Sequence, residues 1–129
     1  MERVSIPPSQ KGKVMFDLDN VVAEDVQEND LEEVVMGLII NSGQARSLAY
    51  AALKLAKQGD FETAKATMEQ SRIALSEAHR VQTQLIESDE GEGKMKVSLV
   101  LVHAQDHLMT SMLARELVAE LIELHEKVQ

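Results

Sequence analysis

Four histidines are the residues best able to do chemistry in this 129-residue chain, which has no cysteine. His103 and His107 stand four apart in VHAQDHLMT, a spacing that puts both rings on one face of a helix. Such a pair can ligate zinc. The helical metalloprotease pattern needs Glu directly after the first histidine, and that position here is Ala104. A di-iron carboxylate bundle needs Glu three residues before a ligating histidine. Ser76, Val100, Ala104 and Ile122 occupy those places before His79, His103, His107 and His125. No G-x-S-x-G turn is present to carry a serine nucleophile. What remains is imidazole itself as the nucleophile. One ring nitrogen can take a phosphoryl group while the other is held by a hydrogen bond. Phosphoryl transfer asks mainly for positioning and charge stabilisation. The same spacing also suits histidines that are merely satisfied within a helical core, the commoner situation. His79 lies in EAHRVQTQLI. His125, near the end of the last apolar segment, suits the negative end of a helix dipole and reads as structural.

The segments that must position these side chains read as helices. Both prolines fall in the first fourteen residues, and the rest is rich in Ala, Leu, Glu, Gln, Met and Lys. Gly59-Asp60 offers a C′ glycine followed by an N-cap acid, and Ser88 to Lys94 (SDEGEGK) is a polar loop. Three helices are predicted, at Asp30–Gln58, Phe61–Glu87 and Lys96–Lys127, with no strand and no internal repeat. Gly37 and Gly43 fall inside the first. It is predicted to run unbroken because its apolar residues keep a helical period past Asn41-Ser42-Gly43, where the glycine would admit close approach of another backbone.

Residues 1–14 hold Pro7, Pro8 and three basic residues and are expected to be disordered, with Met15 a second plausible beginning. Met15 to Glu33 carries eight acids and no base, a run expected to be solvated. The predicted organisation is a flexible tail over 1–28 and one helical domain over 29–129. Lys and Arg total 13 against 22 Asp and Glu, a net charge of −9, so nucleic acid and anionic membranes are poor partners. The absence of cysteine excludes disulfides and thiolate chemistry. The only aromatic residues, Phe16, Tyr50 and Phe61, leave little for base or sugar stacking. No apolar run approaches the ~20 residues of a membrane span, and no signal-peptide core is visible. A cytoplasmic protein is expected.

The third predicted helix is the most informative. At about 100° per residue, Ser98, Gln105, Glu116, Glu123 and Lys127 form a narrow polar wedge. Val97, Leu101, Ala104, Leu108, Ala119 and Ile122 cover one side, and Leu99, Leu113, Leu117, Leu121 and Leu124 another. A helix apolar nearly all round must be buried nearly all round. Two partner helices of the same chain cannot do that, so homo-oligomerisation through this helix is predicted. His103, Asp106, His107 and Thr110 interrupt the second stripe or lie beside it. A carboxylate on an oligomer seam is costly unless paired, protonated or metal-bound. A cation shared by symmetry-related copies of Asp106 and a register-setting polar residue are both consistent with this pattern.

The segments EEVVMGLIINSGQARSLAYAALKLAKQGDFETAK, SEAHRVQTQLI and VSLVLVHAQDHLMTSMLARELVAELIEL resemble the lactose/cellobiose-type enzyme IIA of the bacterial phosphotransferase system, over roughly Leu31 to Val128. The H-x-Q-D-H-L-M-T core and its order relative to SGQARS and GDF carry the resemblance, which is nearest to the N,N′-diacetylchitobiose branch of that family. The resemblance implies an all-α fold, an antiparallel three-helix bundle assembled as a homotrimer through its C-terminal helices. It implies a phosphotransferase component. His103 would accept a phosphoryl group on Nε2 from the carrier HPr and pass it to a cysteine of the cognate enzyme IIB, for uptake of N,N′-diacetylchitobiose or a related β-disaccharide. It implies that Asp106 shares one divalent cation, Mg²⁺, among three protomers, a hard ion suited to oxygen ligands. His107, Gln105, His79 and Gln82 match recurring positions and would support the site. Met109 and Met112 could form an apolar docking rim or belong to the core. A reading from a different class is a non-catalytic, metal-centred trimeric scaffold. It would keep Asp106 and the leucine stripes and have no need of His103.

Overall fold

A computed structural model describes residues 28–89, 93 and 96–129. The helices are α1 (Glu28–Lys57), α2 (Phe61–Asp89) and α3 (Leu99–Val128), within three residues of the predicted bounds. The expected tail before Glu28 and most of the SDEGEGK loop lie outside the described residues. The last acids of the Met15–Glu33 run belong to α1, where Glu32 and Glu33 are solvated as expected.

Local chemistry sets the ends. Gly59 takes φ +86°. The Asp60 amide donates to the Leu55 carbonyl and the Gly59 amide to that of Ala56, both at 3.0 Å, the paired closure of a Schellman motif. Asp60 then caps α2, accepting from the Thr63 amide at 3.2 Å. Ser98 caps α3 from an extended backbone, accepting from the Leu101 amide at 3.1 Å. This corrects the wheel at two positions: Ser98 is a cap rather than part of a polar wedge, and Val97 precedes the helix and is exposed. α1 runs unbroken through Gly43.

The core has two parts. Val34, Val35 and Leu38 of α1 pack with Ala78, Val81 and Leu85 of α2 and with Ala104 and Leu108 of α3. Ala49, Ala52 and Ala56 pack with Ala64 and Met68 and with Val118 and Ile122. The N-terminal halves of α1 and α3 therefore meet the C-terminal half of α2, so α2 runs antiparallel to both and α1 runs parallel to α3. Between the two clusters each helix carries one fully buried serine: Ser42, Ser71 and Ser111. The Ser71 hydroxyl donates to the Ala45 carbonyl at 2.6 Å. Each large aliphatic side chain buried here contributes about 1.5–3 kcal/mol.

α3 buries Ala104, Leu108, Ser111, Val118 and Ile122 against α1 and α2. Ala119, predicted on that side, is exposed. Its outward stripe comprises Leu99, Val102, Asp106, Thr110, Leu113, Leu117, Leu121, Leu124 and Val128, all exposed in the single chain. The steps along it are three, four and four residues, repeating, which is about 3.67 residues per turn and keeps the stripe almost straight. No helix among the described residues is long and apolar enough to cross a membrane.

Candidate functional site

His103 and His107 project from α3 on the flank facing α1. Their rings are parallel within 6°, with centroids 5.8 Å apart. His103 is exposed and His107 half-buried. The covering surface is α1: a Cβ built on Gly43 would lie 3.2 Å from Nε2 of His107. Gly43 thus sits in an unbroken helix, and what approaches it closely is a side chain, not another backbone.

Burial holds the His107 pKa below the ordinary 6.5, and the positive charge of Arg46 and the neighbouring His103 add to this, against an opposing pull from Asp106. The neutral ring is the favoured form, so one nitrogen of His107 remains a hydrogen-bond acceptor at neutral pH. Arg46 lies one turn beyond Gly43 on α1 and enters no ion pair among the described residues.

The expected supporting residues separate into two groups. Gln82 is buried on α2, and its Nε2 donates to Oε1 of Gln105 at 2.5 Å while lying 3.9 Å from Sδ of Met109. Gln105 projects about 160° from His103 around α3. The amide pair therefore bridges α2 and α3, on the side of α3 away from the two rings. His79 stands exposed one turn before Gln82. Among the described residues of one chain it makes no hydrogen bond or ring contact with His103. His125 is in the last turn of α3, as its dipole reading requires. The two methionines divide: Met109 is exposed, and Met112 packs on the core.

Asp106 stands in the middle of the exposed stripe, flanked along it by Val102 and Thr110. The Thr110 hydroxyl donates to the Asp106 backbone carbonyl at 2.9 Å, and Asp106 itself is exposed. The described residues of one chain contain no cluster of three potential metal ligands. A cation on Asp106 would need carboxylates from further copies, and a stripe that is apolar apart from Asp106 and Thr110 is where copies would meet.

Sequence reasoning singled out Gly43 only as a place for another backbone to approach, and it did not single out Arg46. Their i, i+3 spacing on one helix face was visible in SGQARS, but the register of α1 against α3 was not.

A family described as "PTS system, Lactose/Cellobiose specific IIA subunit" matches residues 33–126. The N,N′-diacetylchitobiose-specific EIIA component of the Escherichia coli K12 phosphotransferase system is 77% identical over 115 residues, 89% of this chain and 99% of the relative. The solution structure of the IIA(Chitobiose)–HPr complex from the same species holds a chain 85% identical to this one. It superposes with a TM-score of 0.68 over 76% of this chain and 95% of that one. The crystal structure of the cellobiose-specific enzyme IIA of Bacillus anthracis superposes with a TM-score of 0.72 at 45% identity, over 75% and 89% of the two chains.

Proposed function

Since the chain belongs to the lactose/cellobiose-specific IIA family of the phosphotransferase system, we propose that it carries a phosphoryl group on His103 from HPr to a cysteine of its enzyme IIB. The sugar whose uptake this serves is N,N′-diacetylchitobiose or a related β-disaccharide, as for the E. coli relative.

The observation that carries the reading is an exposed imidazole ring held parallel to a second ring on one rigid helix. In the first step the P–N bond on the HPr histidine breaks as a P–N bond forms to Nε2 of His103. In the second, that bond breaks as a P–S bond forms to the enzyme IIB thiolate. Each transfer is in line, and the ring needs one free lone pair, with its proton kept on the other nitrogen. No sugar pocket is required on this chain, which agrees with its scarcity of aromatic residues.

Asp106 would serve assembly. Three copies meeting along the outward stripe of α3 would bring three carboxylates together, and one Mg²⁺ would offset their repulsion. Its role is structural, with no part in the transfer step. The supporting argument is position: one acid, exposed, in the middle of an apolar seam.

Intact mass after incubation with phosphoenolpyruvate, enzyme I and HPr tests the carrier reading. Wild type should gain one acid-labile phosphate and His103→Ala none. No gain on wild type, with HPr itself phosphorylated, would leave the metal-centred scaffold as the better reading.

A further inference from the structure

We propose that Gly43 is a positioning residue for the phosphoryl acceptor: its missing side chain seats the His107 ring against α1, and His107 in turn fixes the ring of His103. The proposal rests on His103 being the acceptor, as argued above.

α1 contains two glycines, and only one of them has a neighbour within 4 Å of where a Cβ would stand. Around Gly37 nothing lies within 4 Å of where a Cβ would stand. At Gly43 the same atom would come to 3.2 Å from Nε2 of His107, closer than ordinary van der Waals contact. Alanine is the better helix former at both positions, so helix formation itself gives no reason for glycine at 43. The room left there is filled by an imidazole edge.

That imidazole matters to its neighbour. Among the described residues His103 makes no side-chain hydrogen bond, and its parallel arrangement with His107 is the ring contact the structure gives it. A methyl on residue 43 would push His107 outward by a few tenths of an ångström, and the parallel arrangement would be lost or His103 would follow. In-line transfer is sensitive to such shifts. A misplacement of about 1 Å costs on the order of a hundredfold, so a few tenths should cost several-fold.

The test compares Gly43→Ala with Gly37→Ala in the full chain, in wild-type and His107→Ala backgrounds. The readout is the rate of phosphoryl uptake from phospho-HPr. Gly43→Ala should lower kcat several-fold with KM for HPr unchanged and no loss of melting temperature. Gly37→Ala should leave both kinetic constants alone. In the His107→Ala background Gly43→Ala should have no further effect, an outcome a general packing defect would not give. A wild-type rate in Gly43→Ala, or an equal fold-loss with and without His107, overturns the proposal. If wild type takes no phosphate, the carrier reading fails first. The ring-proton NMR shifts then decide the seating on their own. Movement of both His107 and His103 in Gly43→Ala but not in Gly37→Ala supports it, and unchanged shifts overturn it.

Discussion

His103 and His107 lie about 40° apart around one helix, yet solvent reaches one ring and α1 covers the other. Exposure suits His103 in its proposed role of meeting two protein partners in turn. Cover suits the ring that only has to stay in place. The cover also has an electrostatic consequence, since burial first and Arg46 second disfavour the charged form of His107. Its folded-state pKa lies below the unfolded value, so the associated stability is full above pH 6.5 and is lost as pH falls through the folded pKa. The His107 ring protons should therefore titrate with a midpoint under 6.5, and Arg46→Gln should raise that midpoint without carrying it past 6.5, because burial is the larger cause. A midpoint unmoved by Arg46→Gln would show that the guanidinium lies too far away to act. The i, i+4 histidine pair was legible from spacing alone, and the proposal that it carries a phosphoryl group came from the H-x-Q-D-H core. The partition of Gln105 from His103 could also have been read from the wheel. What covers His107 could not, because that depends on the axial register of α1 against α3, and Gly43 and His107 lie more than sixty residues apart in sequence.

At the scale of the elements, the breaks and the continuous stretches were both legible, for local reasons. Gly59 followed by Asp60 is a helix stop joined to a helix start, and each half makes the hydrogen bonds its residue type predicts. The first turn of α3 was placed too early because Val97 and Ser98 fit the helical period, while the Ser98 hydroxyl is better used as a cap. Removing that cap by Ser98→Ala should lower stability by about 1 kcal/mol. Gly59→Ala should lower it by about 1–2 kcal/mol, because an alanine is forced into the left-handed conformation that glycine adopts there. Gly37→Ala should act in the opposite sense, raising stability by about 1 kcal/mol, since the position is helical and its surroundings are open. Urea titrations of the three variants at constant m-value would check all three signs. A destabilised Gly37→Ala would mean that something outside the single chain packs on that face. The buried serines went unremarked in the sequence because they sit among alanines in phase with the core, and period alone does not separate a small hydroxyl from a small methyl.

At the scale of the whole molecule, the single chain leaves a surface that water does not favour. Leu113, Leu117 and Leu124 are each more than half exposed, and with Leu99, Leu121 and Val128 they form one straight outward stripe along α3. A contiguous apolar stripe on a small protein marks an interface, and the wheel had already required one. If copies meet there, Leu117→Glu places like charges at the seam and should yield monomers in sedimentation analysis, with helicity retained. Asp106 allows the opposite experiment. In the proposed trimer it would already be a like charge at the seam, so removing it should not weaken the assembly. Three carboxylates brought together would repel one another, and a cation that offset them would also have to be stripped of water. Asp106→Leu replaces that arrangement with apolar contact in the same stripe. The variant should remain a trimer at least as stable as wild type and should lose divalent-ion binding. A chelator should loosen the wild-type trimer and leave the variant unaffected. Dissociation of Asp106→Leu to monomers would mean that the carboxylate makes an attractive contact within the seam, and a metal-centred trimer would then be the wrong account of it.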